Sequence, residues 1–401
     1  MINFLYDLTA VQPSPQSKFH GGGEYGEVVF FKLLENLDKI HLAAYYNSSA
    51  YLNPDILKAI EEKSITLYDI KNISVSEIIK KENIQRAYSA MLNLNQNWPL
   101  GEIELYNTVH GLRTLEMPYD SIMFSYEKKL KEILKDILFM TVLKKWYYKK
   151  LLCINGRLVQ DKRIKVITIS NHSLASINSF YPETKGMNIP VFASPTFEQL
   201  DNYKVVKNSL PDSKLAEYGI EKSKYFLITS AARWNKNALR ALYAFDQLVS
   251  ENSVSGYKLV ITGVTDKSIF TKNLKNSDKV VLLPYIERDE LELLNRNAYC
   301  FIYPSLNEGF GYPPIDSMSF GVPVIASGSS SIPEVCGNAA IYFDPYSVSE
   351  IKNRILQILT PSIYSDMVIK AKAQHKIICE KQKKDLNSLA EYLTNKRGIY
   401  V

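Results

Sequence analysis

The chain has 401 residues, 46% hydrophobic and 22% charged, with a formal net charge of +6 and four cysteines. Its length suits two or three domains, and its composition is ordinary for a soluble globular protein. No run of 18 apolar residues offers a membrane span, and the mild positive surplus suits a phosphorylated substrate or an anionic surface without demanding nucleic acid.

The first residues, MINFLYDLTAV, read as a buried strand rather than a basic leader. Strand-like runs follow in order at Ile2–Asp7, Ile40–Tyr46, Ile65–Ile70, Glu102–Val109 and Ile164–Ser170, with a helical pattern over Glu24–Leu37. The pattern restarts at Tyr225–Thr229 and continues through Tyr257–Thr262, Val280–Leu283, Ala298–Tyr303, Val322–Ala326 and Ala340–Phe343. Strands alternating with helices predict parallel sheets, and two such series predict two doubly wound α/β domains, 1–200 and 201–379. The weakly patterned stretch Met187–Lys222 is the expected linker. Cys153, Cys300, Cys336 and Cys379 lack metal-type spacing and read as free thiols of a reducing cytoplasm.

Several stretches carry chemistry. His20-Gly-Gly-Gly-Glu-Tyr-Gly26 follows the first strand and opens a helix, so it is either a plain turn or a loop curled around an anion. His110 and Gly111 end a strand. Leu130, Ile133, Leu134, Ile137 and Leu138 recur at helical spacing, and Lys144, Lys145, Lys149 and Lys150 surround Trp146, Tyr147 and Tyr148. That segment, 127–152, reads as a core helix with a solvated basic face or as a contact with an anionic membrane. In Ser170-Asn-His-Ser173, Ser173 or Asn171 is the expected N-cap. Arg233 and Lys236 stand before the helix that opens at Asn237. Cations at a helix start oppose its dipole unless an anion lies between them. Gly263 ends a strand, and Leu283, Tyr285 and Ile286 precede the helix Arg288–Leu294. Ser347-Val-Ser-Glu350 has the form of a capping box before Ile351–Leu359.

The most telling stretch is Tyr303–Gly321, YPSLNEGFGYPPIDSMSFG. It predicts a loop at the carboxyl end of a strand, a helix started by Pro313 or Pro314 and a left-handed stop at Gly321. Gly309 and Gly311 allow close backbone approach to a ligand, with Phe310 between them. Glu308 sits in the loop, and Asp316 is expected in the first helical turn.

Glu308 to Asp316 resembles the donor motif of retaining GT-B glycosyltransferases, especially glycosyltransferase family 4: a glutamate, seven residues, then a second glutamate. Here the second acid is aspartate, one methylene shorter. The resemblance is strong from about Tyr225 to Pro345 and thinner before it. It implies a GT-B architecture, two Rossmann-like domains facing across a cleft, with the closing helix 380–401 returning to the first. It implies sugar transfer from a nucleotide diphosphate sugar, of UDP or GDP type, to a saccharide or lipid-linked saccharide hydroxyl. By the same resemblance Gly22 and Gly23 face donor and acceptor, and His110 lies by the sugar. Arg233 and Lys236 grip the diphosphate, Glu308 orients the sugar, and Gly263, Tyr285, Gly309, Phe310, Gly311 and Asp316 complete the donor contacts. Ala231 occupies the family's usual arginine position, so Arg233 stands in for it. No Asp-x-Asp pair occurs, in keeping with a metal-independent site needing no cofactor. The expected location is cytoplasmic, at the inner face of the cell membrane if the 127–152 segment touches lipid. The alternatives are another GT-B enzyme, a phosphorylase or epimerase, and a non-catalytic glycan-binding or scaffold protein.

Overall fold

A computed structural model of the chain describes residues 1–13, 21–127, 129–201 and 210–395. The described residues hold two six-stranded, all-parallel sheets. The first contains β1 (Ile2–Asp7), β2 (Ile40–Tyr46), β3 (Thr66–Asp69), β4 (Arg86–Ser89), β5 (Glu104–Val109) and β6 (Ile164–Thr168), in the order β3-β2-β1-β4-β5-β6. The second contains β7 (Tyr225–Ile228), β8 (Lys258–Ile261), β9 (Val280–Leu282), β10 (Cys300–Tyr303), β11 (Val324–Ser327) and β12 (Ala340–Phe343). Read from its β9 edge, the second sheet runs β9-β8-β7-β10-β11-β12, the same winding as the first. Helices cover the faces, so strands such as Phe226–Ile228 and Phe301–Ile302 are buried on both sides and read as unbroken apolar runs.

One central strand escapes the sequence pattern. β4 is only Arg-Ala-Tyr-Ser, and it opens on a charge. The Arg86 side chain is buried nonetheless: it bonds the Glu104 carboxylate and donates to the carbonyls of Leu393, at 2.6 Å, and Asn395, at 3.0 Å. A paired charge inside a sheet hides a strand from any hydrophobic template.

The chain forms two compact units: residues 1–112, 150–205 and 379–401, and residues 113–149 and 206–378. The division differs from a simple cut at residue 200, because residues 113–149 belong with the second sheet. Ile122 lies in the second unit's core with Leu242 and Phe245, and Tyr126 meets Phe270 edge-on. The expected linker, Met187–Lys222, is partly built into the first unit. Val191 bridges Thr168, the Ala193 N–H donates to Asp385, and Gln382 donates to the Ser194 carbonyl.

Candidate functional site

In a doubly wound sheet ligands gather where the winding reverses, outside the carboxyl ends of the central strands. In the second unit those strands are β7 and β10. After β7 the chain passes through Ser230, held at φ 63°, to Arg233 and the tight turn Trp234–Lys236. Asn237, at φ 57°, starts the helix Ala238–Ser250. Its amide donates to the carbonyls of Pro304 and Pro345, at 3.0 and 2.7 Å. Leu306 N–H donates to the Asn235 carbonyl at 2.9 Å. The loops after β7 and β10 are thus pinned together.

That pinning brings Lys236 onto Glu308. Lys236 Nζ lies 2.6 Å from Glu308 Oε1, with the two side chains 8% and 16% exposed. Ser305 Oγ donates to the same oxygen. The Glu308 N–H donates to Ser330 Oγ, and Ser331 Oγ donates to the carbonyls of Glu308 and Phe310. Burial pushes the Glu308 carboxyl upward. The Lys236 charge and the bonds from Lys236 and Ser305 outweigh it and hold the group below the ordinary carboxylate range.

Arg233 is exposed and makes no ion pair among the described residues. Arg113 is likewise exposed, yet its guanidinium is pushed below its ordinary value. Crowding by surrounding protein is the first cause and the like charge of Arg233 the second, while Glu308 opposes both. Lys236 thus touches the Glu308 carboxylate, and Arg113 lies within electrostatic reach of both Glu308 and Arg233. Arg113 is a residue the sequence reading passed over as context around His110. No spacing links it to Arg233, 120 positions later. Ser305, Ser330 and Ser331 were missed for the same reason: serines that lock a loop carry no periodic signal.

The helix after Glu308 runs Tyr312–Ser319, with Pro313 and Pro314 in its first turn and Gly311, at φ 112°, as N-cap. Phe310 is buried and Gly309 half-buried. Because the helix begins at Tyr312, Asp316 falls in the second turn, not the first, and is exposed. Gly321, at φ 74°, follows the helix, as expected of a left-handed stop. Gly263 takes φ 75° at the end of β8, and a Cβ there would stand 3.2 Å from Ala231 N and Ser230 Cα. Tyr285 is 56% exposed, whereas Leu283 and Ile286 pack on the core. Two surface hollows, one by Trp98 and Arg163 and one by Tyr342 and Arg354, are lined by none of the candidate residues.

The first unit offers a different set. His20 lies outside the described residues. Gly21, Gly22 and Gly23 form the first turn of the helix Gly21–Leu34 rather than a loop before it. A Cβ on Gly22 would stand 2.8 Å from Met91 Sδ and 3.6 Å from His110 Nε2, so Gly22 and His110 are neighbours. His110 Nε2 lies 2.9 Å from the Ala90 carbonyl, and its ring meets Tyr25 edge-on. The Tyr25 and Tyr88 hydroxyls converge on Thr108 Oγ1. Gly111 takes φ 133°. Elsewhere, Ser170 rather than Ser173 or Asn171 caps its helix, and Ser347 caps its own while Glu350 turns to the Asp344 N–H.

The segment 127–152 does not support the core-helix reading. The helix Leu130–Met140 buries no residue, and Leu130, Leu134, Ile137, Leu138, Val142 and Trp146 are all exposed. Phe139 stacks on Tyr147 at 4.8 Å.

Residues 212–375 match the family model described as "Glycosyl transferases group 1", a span that holds both loops of the second unit. O-antigen chain mannosyltransferase RfbU of Salmonella typhimurium is 33% identical over 149 residues, covering 36% of this chain and 41% of that protein. O-antigen chain mannosyltransferase B of Escherichia coli is 32% identical over 150 residues, covering 36% and 39%. The matched region thus spans about two fifths of each relative. Across almost the whole chain, the fold resembles sucrose-phosphate synthase from Thermosynechococcus elongatus, with a TM-score of 0.66, 13% identity and coverage of 98% and 99%. The resemblance to GT-B glycosyltransferases therefore holds for the fold and, in sequence, for residues 212–375.

Proposed function

We propose that this protein moves a sugar from a nucleoside diphosphate sugar to an acceptor hydroxyl in the synthesis of a bacterial surface polysaccharide. The observation that carries the reading is the Lys236–Glu308 pair beside the unpaired Arg233, at the carboxyl ends of β7 and β10. Lys236 and Arg233 take the diphosphate. As the bond from the sugar C1 to phosphate oxygen breaks, its electron pair collects on the leaving phosphate, and fixed cations stabilise that charge. The acceptor oxygen bonds to C1 on the same face, and its proton passes to the leaving phosphate oxygen. Configuration is retained without a metal. Glu308 orients the sugar hydroxyls, Gly263 and Tyr285 line the nucleotide, and Gly309, Phe310, Gly311 and Asp316 complete the donor contacts. In the first unit Gly22 and Gly23 face donor and acceptor, and His110 lies by the sugar. The similarity to mannosyltransferases makes a mannosyl donor the first to try.

The test is incubation with UDP- and GDP-sugars and a saccharide acceptor, with the product's anomeric configuration read by NMR. A retained linkage formed in EDTA supports the reading. A sugar phosphate or an epimer formed without acceptor replaces it with a phosphorylase or epimerase.

The helical segment 130–149 adds a location. Leu130, Leu134, Ile137 and Leu138 make one exposed stripe that Val142 and Trp146 extend, amid exposed Lys131, Lys135, Lys144, Lys145 and Lys149. An apolar stripe flanked by lysines matches the interface of an anionic bilayer. The protein is expected to cosediment with phosphatidylglycerol vesicles and not with phosphatidylcholine ones. Binding unaffected by Leu134→Glu with Trp146→Glu contradicts this surface.

A further inference from the structure

We infer that Arg113 is a third cation of the donor site and sets its preference for a nucleoside diphosphate over a monophosphate. The inference rests on the transferase reading and deepens it.

Residues 113–126 belong to the second unit although they lead directly from β5 of the first. Two polar anchors hold this segment against the donor loops. Asn307, next to Glu308, donates its side-chain amide to the Glu116 carboxylate. Arg240 Nη2 lies 2.9 Å from Asp120 Oδ1 and 3.2 Å from Oδ2, both side chains largely buried. Arg240 Nη1 also donates, at 2.9 Å, to Asn237, the residue after Lys236. The segment is therefore tied to the loop of Lys236 at one anchor and to the loop of Glu308 at the other.

Arg113 stands one turn before Glu116, with the Met117 N–H on its carbonyl at 2.8 Å. Residues three apart on a helical turn share a face, so Arg113 is directed toward the loop that Glu116 grips. It lies within electrostatic reach of Arg233 and Glu308. Glu308 is already committed to Lys236, and neither Arg113 nor Arg233 makes an ion pair among the described residues. Like charges held near one another raise the energy of the empty site, and Glu308, already paired with Lys236, offsets this only in part. A ligand bearing two or more negative charges relieves this, and planar guanidinium groups suit phosphate oxygens in particular. A monophosphate engages Lys236 and Arg233 and leaves Arg113 with little to hold.

Calorimetric titration of the full chain with UDP and UMP, and with GDP and GMP, tests this. Arg113→Ala is expected to weaken the diphosphate of the preferred base by about tenfold, the loss of one charge-assisted contact, and the monophosphate by less than about twofold. The ligand-free protein should melt no lower than wild type, because a repulsion is removed. A merely structural residue would lower the melting temperature instead. Arg113→Lys, which keeps the charge, should recover part of the diphosphate preference, and it serves as the probe if the alanine variant fails to fold. If Arg113→Ala leaves the diphosphate to monophosphate ratio unchanged while Lys236→Ala abolishes binding, the inference falls and the transferase reading stands. If wild type binds neither diphosphate, the transferase reading itself falls, and the inference with it.

Discussion

The two sheets share a strand order but not a chemistry. Asp7, at the end of β1, is fully buried and takes its hydrogen bonds from neutral donors, among them the Thr9 N–H at 2.9 Å, Thr9 Oγ1 at 2.5 Å and Ser89 Oγ at 2.7 Å. Burial wins, and its carboxyl is pushed above the ordinary range despite those bonds. Glu308, in the loop after β10, meets the same penalty but faces Lys236, and its carboxyl is held below that range. Around Asp7 and His110 the first unit gathers hydroxyls: Tyr25, Tyr88, Thr108 and Ser89. Around Glu308 the second gathers cations. The same backbone crevice thus carries neutral hydroxyls in one unit and charged side chains in the other. The difference lies in a few side chains at strand ends rather than in the fold.

The largest expected effect breaks the charged side. Lys236→Met takes from the buried Glu308 its one ion-pair partner among the described residues. Removing one partner of such a pair costs roughly 3–5 kcal/mol, visible in urea unfolding, and transfer should be lost with it. In the wild-type protein, Glu308's contribution to stability is present above its unfolded value of 4.5 and is lost as pH falls through its lower folded value. Acid unfolding should therefore steepen below pH 4.5, and the Lys236→Met protein should lack that component.

The next effect probes the first unit. Glu27, on the helix that opens with the glycines, is pushed up to about 7, first by burial, with Glu24 and Asp55 adding and the Asn53 amide opposing. A raised carboxyl favours the fold at low pH, and that advantage fades as pH rises from about 4.5 toward 7. Glu27→Gln should remove a decline of at most about 3 kcal/mol over that window, measured as the difference in unfolding free energy between pH 5 and pH 8.

Gly263→Ala should be smaller. It places a Cβ at positive φ and 3.2 Å from the Ser230–Ala231 backbone, which cannot yield as a side chain would. About 1–2 kcal/mol of destabilisation is expected, with a raised KM for donor. Gly22→Ala should be mildest for stability, because the atom it meets first is the Met91 thioether, the far end of a flexible side chain. A melting temperature within about 2 °C of wild type, with acceptor KM raised, would sharpen the contrast between the units.

Most of the second unit was legible in the sequence because its strands are unbroken apolar runs and its loops carry glycine and proline at fixed offsets. Pro313, Pro314, Gly311 and Gly321 all stand where turn chemistry puts them. Glu308 and Lys236 are named by motif, and the structure brings them into contact. The strand β4 was not legible, because Arg86 satisfies its charge through partners 18 and more than 300 residues away. Arg113 was not legible either, since its relation to Arg233 exists only in the folded chain. The place of 113–149 in the second unit depends on Ile122 and on the Asp120–Arg240 pair, contacts that no local pattern announces. The glycine motif was read one turn too late, because three glycines in a row look like a loop, yet the first turn of a helix tolerates them.

On the proposed function, Lys236 and Arg233 hold the diphosphate without a metal, and the contacts at Gly263 and Tyr285 select the base. Thermal unfolding in the presence of UDP, GDP, ADP or dTDP, with and without EDTA, tests it most directly. Ligand at about 100 times its Kd should add roughly 2.7 kcal/mol. One diphosphate is expected to raise the melting temperature equally with and without EDTA, and Lys236→Ala to remove the shift. A shift that vanishes in EDTA, or one that Lys236→Ala leaves intact, would contradict it.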